Sequence, residues 1–400
     1  MNALSPAERQ LVAAIDPAPI LAHVLDWAAI NSGTGHLAGL ATMAARLADA
    51  FAVLPGDAQL VAPAPVAAIG ADGAAHPRAH GAHLLLRVRP DAPRRLLLTG
   101  HMDTVFPADH PFQQCAWLDE DTLRGPGTAD MKGGIALMLA ALVAFEQGRP
   151  ALGYDVLLNS DEETGSLSSA GLIGQCARGK LAALTFEPAL PDGAMAGGRP
   201  GSGNFALVIR GRAAHAGRNP AEGRNAVLAA ADLALRLAAA RRPGLAINVA
   251  RIEGGGPDNQ VPDLAILRCN LRPARAADAA EAEALMATAI AAVAAAHEVS
   301  IHRHGHFTRP PREIAARDRP LRALVGQAAG DLGEALHWAD TGGVCDGNNI
   351  AACAVPVVDT MGARGGAIHS PQEFLQVSSL AARARLAALV LHRLDGEGRA

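Results

Sequence analysis

The stretch YDVLLNSDEETGS, residues 154–166, decides how this chain is read. Its first half, residues 154–159, is an apolar run of strand length. Asp161, Glu162 and Glu163 therefore fall at a strand's carboxyl end, where α/β sheets carry their chemistry. Three adjacent carboxylates repel one another and lose hydration if enclosed, so they belong either on open surface or beside a cation. An isolated acidic triplet is more often a solvated loop. Other stretches of this chain decide against that here.

Four hundred residues exceed what one hydrophobic core usually organises, so two domains are expected. Half the residues are apolar but only 3% are aromatic, which predicts a core of Ala, Leu, Val and Ile. A net charge of −4, with no basic run interleaved with aromatics, argues against nucleic acid as a partner. The five cysteines are scattered and never in CxxC spacing, so neither a disulfide framework nor a thiolate metal site is expected. The amino terminus lacks a basic segment followed by a long apolar one, and the longest apolar run, residues 135–145, is too short to span a bilayer. The expectation is a cytoplasmic protein without a membrane partner.

Working outward from the acidic stretch, residues 83–88 and 95–99 read as strands, the second leading into GHMDTVFP. His101 and Asp103 lie two apart at that strand's end, where side chains share a face and a carboxylate can orient an imidazole. Helices are predicted on either side of INSGTGH within residues 20–54. The segment GPGTADMKGG then ends a Gly-rich loop at Asp130 and opens an apolar helix over about 131–147. As a phosphate loop it fails, because it lacks a GK[ST] ending and carries an acid where an anion would sit. Past the triplet come a helix near 167–178 and a strand at 181–186, which puts Glu187 at one more strand end.

From about Ala194 the Gly/Pro-rich GAMAGGRPGSG reads as a boundary. Beyond it, strands at NFALVIRG, 245–252 and 264–272, with helices at 225–240 and 277–297, suit an α+β sandwich: an antiparallel sheet with both helices on one face. The alternating HRHGH, 302–306, resembles a metal tract but is read as a solvated terminal strand. The last part returns to α/β habit, with a helix at 319–332, the strand AVPVVDT, and His369 in MGARGGAIHSPQEF before a helix at 377–393. The predicted division is a catalytic domain in two pieces, 1–200 and 311–400, with 201–310 inserted.

His101, Asp130, Glu163, Glu187 and His369 thus all follow strands or open helices of one predicted sheet. Two imidazoles and three carboxylates without thiolate suit a pair of zinc-like ions sharing one bridging acid. Glu162, beside a donor yet pointing away from it, is placed to take a proton from water.

Together GHMDTVFP, GPGTADMKGG, SDEETGS, FEP and AIHSPQEF resemble the di-zinc exopeptidase and deacylase family of glutamate carboxypeptidase, acetylornithine deacetylase and succinyl-diaminopimelate desuccinylase. The resemblance runs in order over nearly the whole chain. It implies an α/β fold with a mixed, mostly parallel sheet flanked by helices, and an inserted ferredoxin-like lid that dimerises. It also implies that His101 and Glu187 hold one divalent ion, that Glu163 and His369 hold the other, and that Asp130 bridges them. The ions would be zinc, with cobalt or manganese as alternatives. Asp103 would orient His101, Glu162 would be general base and then acid, and His215 of HAGRNP would stabilise the oxyanion from a partner subunit. Asn259 and Arg272 would grip the substrate's carboxylate. Asn270 stands where the family often has Asp, which removes an expected partner of Arg272.

The implied activity is hydrolysis of an amide bond next to an amino-acid carboxylate in a small N-acyl amino acid or short peptide, as in the glutamate carboxypeptidase branch. An acetylornithine- or succinyl-diaminopimelate-type deacylase and a dipeptidase are the alternatives. A metal-bound but inactive binding module is a remote one, because every expected position is filled.

Overall fold

Apolar runs become the strands of a six-stranded central sheet in a computed structural model that describes residues 4–396. Across the sheet the order is Asp57–Val61, His83–Val88, Gly153–Asn159, Arg95–His101, Ala182–Thr185 and Val357–Val358. The last four run parallel and the first two are antiparallel additions at one edge. Parallel strands covered on both faces need apolar residues at every position, and Gly153–Asn159 is buried throughout.

One face packs on the helices Pro17–Ala28, Gly133–Gln147 and Ser378–Gly396, joined in a single core around Leu98, Ile135, Leu142, Val156 and Leu389. The other face packs on Ala170–Ala177 and Asp346–Ala352 through Leu97, Leu157, Ile173 and Ile350. Each such side chain contributes about 1.5–3 kcal/mol when fully buried. Gly134 lets its helix approach a strand end closely, since a Cβ there would stand 2.1 Å from the Phe186 carbonyl oxygen.

The helix predicted from Met131 begins instead at Gly133, after an irregular turn over Thr128–Lys132. The reason lies in the backbone amides of Gly127, Ala129 and Asp130, which all donate to the Glu373 carboxylate at 3.0–3.1 Å. Short strands at Asp57–Val61, Val66–Ile69 and Ala75–Arg78 were not legible in a stretch rich in Ala and Pro. The Gly-rich TGGVCDGNN also hides the start of the helix Asp346–Ala352, capped by Cys345.

The insertion forms a second, antiparallel sheet ordered Leu245–Gly254, Leu264–Pro273, Ser202–Arg210 and Ser300–Arg309. With the helices Ala226–Ala239 and Ala276–His297 on one face it is a ferredoxin-like β-α-β-β-α-β unit with its own core around Leu207, Leu233, Leu267 and Met286. Its other face is partly covered by the hairpin Val66–Arg78: Ile69 packs against Ala206, Val208 and Ile266, and Arg268 Nη2 donates to the Ile69 carbonyl at 2.7 Å. Two helical segments, Thr128–Gln147 and Ala276–His297, are long and apolar enough to cross a membrane by length and composition, a reach that counting apolar runs missed. The first is spent in the central core, and the second lies on the inserted sheet.

The insertion enters and leaves through one antiparallel pair, Arg199 with Arg312. Both guanidiniums converge on the wholly buried Asp359. Arg199 Nε donates to Oδ2 at 2.8 Å and Nη2 to Oδ1 at 3.2 Å, and Arg312 Nη1 donates to Oδ2. Burial alone would raise the Asp359 carboxyl, but the two cations hold it below the usual range. Removing one member of a buried charged network costs about 3–5 kcal/mol. Asp359→Ala is therefore expected to lower unfolding free energy by that much in urea titrations, and a change below about 1 kcal/mol would contradict the clamp.

Candidate active site

Parallel pairing sets His101 opposite Asn159 and Thr99 opposite Thr185, so the strand ends bearing His101, the acidic triplet and Glu187 open into one cleft. The cleft, about 1450 Å³, lies between the central layer and the inserted sheet. Asp130, Glu163, Glu187 and His369 line one side, and Asn204, Asn270 and Arg272 line the other.

Two triads share Asp130. In each, His101–Asp130–Glu187 and Asp130–Glu163–His369, every donor atom lies within 4.8 Å of the others. His101 Nε2 is 3.0 Å from Asp130 Oδ1 and 3.9 Å from Glu187 Oε2; His369 Nε2 is 3.3 Å from Asp130 Oδ2 and 3.2 Å from Glu163 Oε2. Burial pushes Glu163 up to about 8, helped by the charge of Asp130, and raises Glu187 well above its ordinary value. Hydrogen bonds to Asp130 and Glu163 push His369 up to about 10. His101 is raised too: burial opposes this, but its contacts with Asp103 and Asp130 prevail. Asp130 moves the other way: burial opposes this, but hydrogen bonds from His101 and His369 hold it below the usual carboxylate range. Glutamates pushed toward the neutral form and imidazoles toward the charged one are what crowded donors tend to become without a cation, and two divalent ions would reverse both tendencies. The nitrogen and oxygen donors, all free of sulfur, fit such ions.

The supporting contacts were mostly invisible in sequence. Asp103 does sit beside His101, yet the imidazole Nδ1 is held at 3.0 Å by the Asp103 main-chain carbonyl, with the carboxylate at 3.5 Å. That carboxylate instead accepts from Thr34 Oγ1 at 2.7 Å and from the amides of Glu162 and Glu163 at 3.1 and 3.2 Å, which anchors the acidic turn. Asp161 turns away and accepts from Ser168 and Ser169. Glu162 Oε1 meets Arg309 Nη2 at 2.7 Å, and burial pushes Glu162 up to about 7 against the pull of that arginine.

Arg309, Asp346 and Glu373 escaped the sequence reading, although Glu373 lies inside the quoted motif HSPQEF. An arginine followed by two prolines and an acid in a Gly-rich run gave no spacing signal. The expected loss of Arg272's partner is corrected: the Asn270 side-chain oxygen accepts from Arg272 Nε at 3.0 Å, and Gly342 O accepts from Nη1 at 2.8 Å. Arg272 thus stays positioned by neutral acceptors, with no carboxylate paired to it among the described residues. His215 and Asn259 sit together, with Ala216 N donating to Asn259 O at 2.9 Å, but on the surface and away from the cleft's lining. His215 Nδ1 accepts from the amides of Gly217 and Arg218, which leaves Nε2 as the N–H donor. The histidines of HRHGH are exposed.

A mostly parallel sheet with an inserted ferredoxin-like unit, and two donor triads sharing an acid at its strand ends, define a metal-dependent hydrolase of amide bonds. The chain belongs to peptidase family M20/M25/M40, which it matches over residues 97–393. It is 31% identical to carboxypeptidase G2 of Pseudomonas sp. (strain RS-16) over 336 residues, 78% of this chain and 76% of that one. It is 28% identical to the succinyl-diaminopimelate desuccinylase of Halorhodospira halophila, over 68% of this chain and 74% of the relative. Among solved structures, a Staphylococcus aureus tripeptidase superposes with TM-score 0.75 at 22% identity, covering 96% and 99% of the two chains. The dipeptidase Dug1p of Saccharomyces cerevisiae superposes with TM-score 0.73 at 14% identity, covering 98% of each. A Bacillus subtilis protein described as a dinuclear metal-binding peptidase of the M20 family gives 0.65 at 14% identity, covering 94% and 98%.

Because Glu373 fixes three amides of the loop bearing Asp130, Glu373→Ala should leave that donor loosely held. Loss of such an outer support costs about 10–100-fold in metal affinity. Competition with a chelating dye measures it, and unchanged affinity would refute the support.

Proposed function

We propose that this enzyme hydrolyses the amide bond adjoining an amino-acid carboxylate, releasing a C-terminal residue or freeing an N-acyl amino acid, in the manner of a glutamate carboxypeptidase. The observation that carries the reading is the shared Asp130 between two donor triads, with Glu162 beside them and Arg272, held by neutral acceptors, across the cleft. His101 and Glu187 would hold one ion, Glu163 and His369 the other, and Asp130 both; zinc suits the donors, with cobalt and manganese as alternatives. Bound there, the ions supply Lewis acidity toward the scissile carbonyl and toward water.

The chain's own residues do the rest. Glu162 offers Oε2 to the attacking water, takes its proton, and returns it to the leaving amine. Arg272 holds the substrate's carboxylate from the cleft wall, and Asn259, which stands beside His215 outside this chain's own cleft, would join it from a second subunit. His215 donates Nε2–H to the oxygen on which charge develops. The insertion, 201–310, acts as a lid and joins two subunits. This is supported by its free edge strand Leu245–Gly254 and by the exposed Leu228, Leu235 and Ile252. Five free thiols suit a reducing cytoplasm.

A panel of N-acyl amino acids and dipeptides, each as free acid and as amide and assayed with zinc, cobalt or manganese, tests the substrate class. Arg272→Ala removes a charged hydrogen bond worth about 1.5–3 kcal/mol, so kcat/KM for free acids should fall by about 10–150-fold while amides are spared. Equal loss on both forms would overturn the assignment.

The cross-subunit role of His215 is tested with Glu162→Ala and His215→Ala chains, each expected to be inactive, co-expressed as mixed dimers. Acting in trans, one site of each mixed dimer keeps both groups, and up to about half the wild-type activity should return if each constellation acts as a unit. Mixed dimers verified by mass but without recovered activity would sink the role.

A further inference from the structure

Arg309 is the last residue of the insertion's edge strand, Ser300–Arg309, and is almost wholly buried. Its Nη2 donates to Glu162 Oε1 at 2.7 Å, to the Glu162 main-chain carbonyl at 3.0 Å and to Ser166 Oγ at 3.1 Å. Its Nη1 donates to Asp346 Oδ1 at 2.7 Å and to Asn349 Oδ1 at 3.3 Å. Asp346 is itself fixed by Asn159 Nδ2 at 2.7 Å and Ser166 Oγ at 2.5 Å, so the guanidinium rests on an anchored frame.

We propose that Arg309 is the positioning residue for the catalytic base: it grips Glu162 by both backbone and side chain and leaves Oε2 as the oxygen free to meet the attacking water. The inference rests on the reading of Glu162 as general base. A carboxylate on a Glu side chain has several rotamers, and holding one of them removes a conformational search from each turnover. Both terminal nitrogens of Arg309 are engaged by protein acceptors. Both arginines line the cleft, but Arg309 is taken up by the carboxylates of Glu162 and Asp346 whereas the contacts of Arg272 are neutral: Arg309 acts on the base and does not bind substrate. Because Arg309 belongs to the inserted sheet, the base is set by the same layer that covers the substrate.

The test uses the metal-loaded enzyme and a free-acid substrate that it turns over, with Arg309→Met, Arg309→Lys, Glu162→Gln and the double variant Glu162→Gln/Arg309→Met. Misplacing a reacting group by about 1 Å costs about 10²-fold, so Arg309→Met should lower kcat by roughly 10–10²-fold with KM within a few fold. Lys keeps the charge but cannot span two acceptors, so Arg309→Lys should restore only part of kcat. Metal content should stay at wild type in both.

In the Glu162→Gln background Arg309→Met should cost almost nothing more, since groups acting as one unit are not additive. Glu162→Gln retaining activity within a few fold would instead remove the base assignment itself, a separate result from any seen at Arg309. A raised KM with kcat unchanged, losses that multiply in the double variant, or lost metal would each overturn the positioning role. So would failure of both the Met and Lys variants to fold, which would make Arg309 purely structural.

Discussion

Everything in this molecule depends on the parallel pairing of Arg95–His101 with Gly153–Asn159 on one side and Ala182–Thr185 on the other. Parallel strands bring their carboxyl ends to one edge, and there the backbone has no further ladder partners. The edge must be finished by polar groups, and the sequence finishes it with His101, the acidic turn and Glu187. Three buried carboxylates and two imidazoles in that place are a heavy electrostatic load. The surrounding contacts make sense as means of holding those groups still until cations share the load.

The means is the same twice over. Asp103 accepts the amides of Glu162 and Glu163, and Glu373 accepts those of Gly127, Ala129 and Asp130. In each case a carboxylate remote in sequence, and not itself in either donor triad, staples a loop by its backbone, so the loop's own side chains stay free for ligands. Backbone amides are suited to this because their direction is set by the chain and not by a rotamer. Arg309 extends the pattern to a side chain.

How much of this was legible follows from what each feature depends on. The strands 83–88, 95–101, 153–159 and 202–210 announce themselves because local apolar patterning and burial coincide. His101, Glu163 and Glu187 were legible because each follows a buried strand, and Asp130 because it stands just before a helix; His369, expected on the same sheet, instead follows the two-residue strand Gly365–Gly366 of a separate small sheet, so strand-end reasoning did not place it. Asp57–Val61 was not, since as an edge strand largely exposed to water it needs little apolar sequence. The roles of Arg309, Asp346 and Glu373 were hidden for another reason: their partners lie far along the chain, and a buried ion pair leaves no periodic trace. Asn270 shows the limit of residue-type reasoning, for the amide oxygen takes the acceptor position expected of a carboxylate and changes only the charge.

The pairing of Arg199 with Arg312 bears on how the chain assembles. Val357–Val358 must find Ala182–Thr185 to complete the central sheet, although the whole insertion separates them in sequence. Loop-closure entropy depends on the length of free chain between two contacts. Once the ferredoxin-like unit has folded and drawn its ends together, the chain left to close is residues 186–199 and 312–356 in place of the whole of 186–356. A roughly threefold shortening of the free chain saves about 1 kcal/mol of closure entropy, so a folded insertion makes the last strand's pairing easier without making it local.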